Sequence, residues 1–595
     1  MTDNGHPRLY RARPVLALAA VAFAVGAIVG AQGGASAQSS LAESYARAWS
    51  KGDYATMYAN IDAASRRSIS AGDFASAYQQ ALTTATATRV RVTGAAHEAS
   101  GGVVSVPLRI STRLFGELSL DFTMKVLETG GEGARVSWSR SLVFPGLRAG
   151  ELLTRRTTLP QRATLLARDG SVLAGGSAGS GEGQSTEATR SSPLGEAANA
   201  VIGTVGAIPA GRRQALEAQG VPAQAAVGLS GMELALDDRL RGTPGGELLA
   251  GSRVLASAVS RPAPAVRTSI SPELQRAAVA ALGGQFGGIV AMAPSTGQIL
   301  AVAGIGLDGL QPPGSTFKII TLTGVLQAGL ATPHTVFPYA THATLDGVQL
   351  HNANGEECGG TLENAFAVSC NSVFSPLGVK LGSARLVETA ERFGFNQETG
   401  LTGAPKSTLP PAAQIRGELD IGSTAIGQGQ VLATPLQMAM VATAIADSGR
   451  RPRPTFLAGS RADFIGHATS SSVARTVRRL MIGVVRSGTG TAAAIRGVTV
   501  AGKTGTAELK SPCTPSSASS TEASAGESGS GEAPKEACQS GETESSNTDA
   551  WFAAFAPALH PRVAVCVMLV KDGAGGATAA PVARQVIEAA LQAGL

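Results

Sequence analysis

Lysine is scarce in this chain, with nine among 595 residues, and so are aromatic residues, at 4%. Charged residues make up 15%, histidines number seven, and no Cys-x-x-Cys pair or histidine cluster occurs. Without such clusters there is no zinc-type ligand set, so no metal or other cofactor is expected. No basic run appears, and few aromatics are present to stack on bases, so nucleic acid is not an expected partner. The net charge of +6 suits an anionic wall or membrane surface. Hydrophobic residues, at 44%, are frequent enough for a globular protein, and the length predicts three or four domains rather than one core.

Glycine, by contrast, is abundant at 74 residues, and it generates motifs that fail in context. Gly304 to Gly309 fits a dinucleotide fingerprint, but Pro312 and Pro313 stand where its helix would begin. Gly175 to Gly179 fits a nucleophile elbow without a flanking strand. Gly497 to Thr504 fits a P-loop, yet Val498 and Val500 alternate as in a strand and no helix follows.

The informative stretch is Pro312-Pro313-Gly314-Ser315-Thr316-Phe317-Lys318, which opens an apolar segment through Ile319, Ile320, Leu322, Val325 and Leu326. The prolines and glycine deliver the chain into a helix whose first turn holds Ser315. Lys318, three residues on, shares its face, and burial would favour the neutral amine able to activate the hydroxyl. No other Ser-x-x-Lys occurs in the chain. Ser369-Cys370-Asn371 adds a second hydroxyl and an amide, and Lys503-Thr504-Gly505-Thr506 adds a cation, two hydroxyls and a small residue.

In order and spacing this trio resembles the S-x-x-K, S-x-N and K-T-G signatures of penicillin-binding proteins and serine β-lactamases. The resemblance is strongest from Arg267 onward. Trp138 to Leu147 is similar to the end of the nuclear-transport-factor-like domain of low-affinity, methicillin-resistance-type penicillin-binding proteins. Leu159 to Ala174 resembles the start of the class B pedestal, although Arg162-Ala163 and Ala167-Arg168 depart from the family's Arg-Gly and Asp-Arg.

The fold implied is multidomain: an α+β cone-like N-terminal domain, an elongated pedestal domain, and an α/β penicillin-binding transpeptidase domain. The last is expected to be a five-stranded antiparallel sheet flanked by helices. Residues 1–37 read as a cytoplasmic tail and membrane anchor or signal, because Arg8, Arg11 and Arg13 precede the apolar run Pro14 to Ala31. Ala35-Ser36-Ala37 leaves a cleaved, secreted form as the alternative. Residues 38–148 form the spacer domain, 149–265 the pedestal or dimerisation domain, and 266–595 the transpeptidase domain with a flexible loop at 510–547. A second flexible loop is expected at 175–195.

Leu41, Tyr45 and Trp49 predict a helix, and the alternation Leu118, Leu120, Phe122, Met124, Val126 predicts a strand. Thr434-Pro435-Leu436-Gln437 reads as a capping box, and the final sheet strands are expected at Val498 to Thr506, Ala550 to Ala556 and Val563 to Val570. Five cysteines in an exported chain favour disulfides with one left over. Cys513 and Cys538 are expected to pair across the loop, Cys358 and Cys370 are a second candidate pair, and Cys566 is expected as a buried thiol.

The resemblance assigns Ser315 as nucleophile, Lys318 as its base, Ser369 as proton relay and Asn371 as the holder of the substrate amide. Lys503, Thr504 and Thr506 would bind the terminal carboxylate, with Gly505 admitting substrate to the backbone. The backbone N–H groups of Ser315 and Thr506 would form the oxyanion hole. The expected activity is D,D-transpeptidation of peptidoglycan stem peptides, with β-lactams as covalent inhibitors. The membrane and cell-wall synthesis or division proteins are the further expected partners. A D,D-carboxypeptidase and a catalytically weak β-lactam-binding scaffold or sensor are the alternatives. A β-lactamase is disfavoured, since no Glu-x-x-x-Asn suited to activating water is found.

Overall fold

The computed structural model describes residues 36–129, 133–176, 190–509 and 547–595. The anchor segment, Cys513 and Cys538 lie outside the described residues. Two compact units emerge: one up to Pro160 with Pro209–Ala223 and Thr243–Arg261, the other comprising Gln161–Ile208, Gln224–Gly242 and Pro262–Leu595.

In the first unit the helix Ala37–Ser50 is capped by the Ser36 side chain and buries Tyr45 and Trp49 at the predicted spacing. Its partner is a curved antiparallel sheet of Ala87–Val92, Val103–Thr112, Glu117–Thr129 and Gly133–Ser137, with His97–Ala99 added at its edge. Strand alternation turns Phe122, Met124 and Val126 inward, so Phe122 meets Trp49 at a ring separation of 4.9 Å. Within this core Tyr45 and Tyr78 hydrogen-bond at 2.9 Å and the Trp138 indole donates to Tyr78 at 3.3 Å. Leu153–Thr158, Gly245–Ala250 and Arg253–Ala258 form a separate three-stranded sheet in this unit.

In the second unit a five-stranded antiparallel sheet runs in the order Ile299–Gly304, Gly287–Met292, Val563–Leu569, Thr548–Ala556, Ala501–Glu508. Period two sorts its side chains onto two cores. Ala550, Phe552 and Ala554 join the layer of the helices Pro272–Leu282 and Ala579–Gln592, whereas Trp551, Ala553 and Phe555 join the layer containing the fully buried helix Pro435–Ala446. Thr434 caps that last helix by accepting from the Gln437 N–H at 3.1 Å, but the reciprocal half of the expected box is missing. The Gln437 side chain reaches the Phe393 carbonyl instead, because both residues are buried there. The outer strand begins at Ala501 rather than Val498, since Val498 turns back to pair with Ile495.

Residues 161–208 and 224–242 share the large core of this unit: Leu165, Val201, Ile202, Met232 and Leu240 cluster with Val290, Met292 and Ile299. A buried ion cluster sits among them. Arg162 bonds Glu233 at 2.7 Å and Asp237 at 2.8 Å, and Arg190 bonds Glu233 at 2.7 Å. Of the expected loop at 175–195, residues 177–189 lie outside the described residues, and Arg190 near its end is held in place. It is 2% exposed and anchored by charge, so the Gly/Ser composition upstream of it does not extend to its own position.

Candidate active site

Gly314–Phe317 forms a single 3-10 turn, and the α-helix Lys318–Gln327 starts directly after it. Ser315 thus sits one turn ahead of the helix proper. Gly314 adopts φ +51°, and a Cβ there would lie 2.5 Å from the Thr506 carbonyl oxygen. Only glycine lets the serine turn abut the Lys503 strand so closely. The Gly314 N–H donates to the Gly427 carbonyl at 3.0 Å and the Thr316 hydroxyl to the Pro313 carbonyl at 2.6 Å, which fixes the turn. Ser315 itself is partly buried.

Lys318 is fully buried, as the apolar segment around it predicts. The expected contact with the Ser315 hydroxyl is replaced by others among the described residues. The amine donates to the Ser369 carbonyl at 2.7 Å, the Asn371 Oδ1 at 2.6 Å and the Ser369 Oγ at 3.3 Å. The reason is geometric, since Ser369 at φ +61° turns its carbonyl inward toward the amine. Burial first, then the positive charge of Lys503, push the Lys318 pKa well below the ordinary lysine range.

Ser369 follows the helix Leu362–Ala367 in a left-handed conformation, and Cys370 caps the next helix, Asn371–Leu381. Cys370 is joined to Cys358 by a disulfide, which ties this loop to the strand Cys358–Thr361. Asn371 accepts from Lys318 and donates to the His351 carbonyl at 2.8 Å. Cys566 is a buried free thiol whose pKa is raised by burial.

From the opposite side Lys503, fully buried on the outer strand, donates to the Ser369 Oγ at 2.8 Å and the Thr504 carbonyl at 3.1 Å. Burial lowers its pKa to about 7. Ser369 Oγ therefore lies between two amines, which fill both of its acceptor positions and leave its own proton to be given away. The Thr506 hydroxyl accepts from the Gly575 N–H at 3.4 Å.

Four residues outside the three motifs shape the site. Phe366 and Phe374 lie under the two amines, with Lys503 5.6 Å from one ring centroid and Lys318 5.6 Å from the other. Each is three residues from a motif residue, Ser369 or Asn371, and that near-helical spacing was an available signal. Gly427 opens the stretch Gly427-Gln428-Gly429-Gln430, which resembles the family, whereas Thr489 carries no local signal. Gly427 receives Gly314, and Thr489 places its hydroxyl 2.6 Å from that of Thr504. Among the described residues, no three of His, Cys, Asp or Glu group as metal ligands would. A partly buried hydroxyl, a buried amine of lowered pKa, a hydroxyl bonded by two amines and the second of those amines are groups that acyl transfer can use.

Comparison with known proteins bears on this geometry. The model of the penicillin binding protein transpeptidase domain matches residues 287–588. That of the NTF2-like N-terminal transpeptidase domain matches 37–151, and that of the penicillin-binding protein dimerisation domain 183–253. The peptidoglycan D,D-transpeptidase PbpA of Mycolicibacterium smegmatis is 32% identical over 397 residues, spanning 55% of this chain and 73% of that protein. The crystal structure of PBPA from Mycobacterium tuberculosis is 27% identical with a TM-score of 0.55, covering 73% of this chain and 99% of that one. Its penicillin G acyl-enzyme complex is 28% identical with a TM-score of 0.54, covering 73% and 100%.

Proposed function

The chain belongs to the penicillin-binding protein transpeptidase family, in the class B form with an NTF2-like domain and a dimerisation domain, and on that basis we propose how it cross-links peptidoglycan. Ser315 Oγ attacks the carbonyl between the terminal D-alanines of a donor stem peptide, and the neutral Lys318 amine takes its proton. The N–H groups of Ser315 and Thr506 receive the oxyanion. When the C–N bond breaks, Ser369 passes its proton to the leaving D-alanine amine and regains one from the protonated Lys318, so that an ester to Ser315 remains. An amine of a neighbouring stem peptide attacks that ester, forms the new amide and returns a proton to Ser315. Lys503, Thr504 and Thr506 hold the donor's terminal carboxylate, and Asn371 faces its amide.

The placement of Ser369 Oγ between Lys318 and Lys503, next to the Ser315 turn, carries this reading. A β-lactam ring would be opened by the same attack while its leaving group stays tethered, so β-lactams would be covalent inhibitors. Export to the outer face of the membrane is supported by the Cys358–Cys370 disulfide, which an oxidising compartment preserves. Among the described residues no helix is long and apolar enough to cross a membrane; the proposed single-pass anchor is the run from Pro14 to Ala31, outside them.

Labelling with a fluorescent penicillin tests the assignment. Wild type should label and Ser315→Ala should not. Labelling of both would remove Ser315 as nucleophile. Thioester turnover that accelerates with added D-amino acid amine identifies a transpeptidase, turnover to water alone a carboxypeptidase, and no turnover a scaffold or sensor.

A further inference from the structure

Thr489 follows the helix Ser471–Ser487 and stands apart from all three sequence motifs, yet the fold brings it to two of them. Its N–H donates to the Ala367 carbonyl at 3.0 Å, two residues before Ser369. Its hydroxyl lies 2.6 Å from the Thr504 hydroxyl and 3.5 Å from the same Ala367 carbonyl. Gly488 makes the approach possible, because a Cβ there would meet the Ala367 oxygen at 2.1 Å. Thr489 is nevertheless exposed, whereas Thr504 is 5% exposed.

The protons of this hydroxyl pair can be counted. One O–H must bridge the 2.6 Å gap. If Thr504 donates, its proton is taken up by Thr489, whose own proton then goes to solvent or to Ala367 at 3.5 Å, the outer limit of a hydrogen bond. If Thr489 donates, Thr504 Oγ1 accepts from Thr489 and, at 3.5 Å, from Lys503. Among the described residues no acceptor then remains for the Thr504 proton, which is available to an incoming anion. An entering carboxylate favours the second arrangement, because hydrogen bonds to charged groups are the stronger ones.

We propose that Thr489 is a positioning residue for the donor carboxylate: its hydroxyl sets the Thr504 proton toward the terminal carboxylate of the stem peptide. This rests on the acyl-transfer reading above. The bridge from Ala367 to Thr504 also couples the Ser369 loop to the Lys503 strand, so carboxylate capture and the relay hydroxyl are held by one side chain.

The test compares two thioester substrates, one whose leaving mercapto acid carries a free carboxylate and the other its methyl ester. In Thr489→Val, kcat/KM for the acid should fall about 10- to 100-fold, mostly through KM, the range for losing a hydrogen bond to a charged group. The ester should lose less than about threefold, and Thr489→Ser should restore the acid. Thr489→Ala serves as a second deletion should valine disturb packing. Equal losses on acid and ester, or an acid rate unchanged in both deletions, would overturn the proposal. A wild-type enzyme that is acylated by neither substrate would remove the acyl-transfer reading itself, and this inference with it.

Discussion

The Lys503 amine donates to the Ser369 hydroxyl at 2.8 Å, while Lys318 approaches the same oxygen from the other side at 3.3 Å. Two buried cations cannot share one acceptor at full charge without lowering each other's proton affinity or that of the weaker partner. Lys318 takes that burden, since burial and then Lys503 depress its pKa.

Acylation should therefore rise with pH as Lys318 loses its proton. In Lys503→Met the depressing charge is gone, so the Lys318 pKa climbs and the rising limb moves to higher pH. Burial persists, so the limb should still fall below the ordinary lysine value. The pH dependence of penicillin acylation in the two proteins checks this, and an unmoved limb would show that the charge of Lys503 does not reach Lys318.

Stability should respond to the same substitution with a definite sign. The folded-state pKa of Lys503, about 7, lies below that of the unfolded chain, so between the two the unfolded chain binds the extra proton. Stability of the wild type thus grows, relative to Lys503→Met, as pH rises from about 7 toward the lysine range near 10.4. Melting temperatures at pH 7 and pH 9.5 should show the Tm of the variant falling relative to wild type across that interval.

Opening the Cys358–Cys370 bridge should weaken both fold and chemistry. The two cysteines are 12 residues apart, and closing a loop of that size contributes about 3 kcal/mol by chain entropy. Cys370 lies between Ser369 and Asn371, so a Cys358→Ser, Cys370→Ser double variant should also slow acylation. Denaturant unfolding and penicillin labelling measure the two effects separately.

Arg190→Met should destabilise the second unit by about 3 kcal/mol, because Glu233 stays buried with a single remaining arginine, Arg162. Labelling of Ser315 at low temperature should persist, since this cluster touches none of the proposed site residues. Replacement of Arg190 without loss of stability would mean the cluster contributes orientation rather than energy.

The meeting of Lys318, Ser369, Asn371 and Lys503 was legible in the sequence because these residues stand in short contiguous motifs. So were the strand with Phe122 and the helix with Trp49, where a one-sided core imposes a strict period on the side chains. Thr489 was not legible, because its partners Ala367 and Thr504 are far away in the chain and become neighbours only in the folded domain. Arg190 was obscured by the glycine and serine preceding it, since composition does not report a charge partner 43 residues away. The Lys318 contacts were mislocated for a related reason: helical spacing gives the face but not the competing acceptors that a left-handed serine brings to it.

The sharing of one core between residues 161–208, 224–242 and the sheet determines where this protein can be cut. Asn199–Ile202 carries Val201 and Ile202 into the same apolar cluster as Ile299 and Val302 on the sheet's outer strand. A catalytic fragment trimmed at the family boundary near residue 287 would leave those strand residues facing water and invite self-association through them. Truncated forms made for inhibitor screening should therefore retain Gln161–Ile208 and Gln224–Gly242, which complete this core.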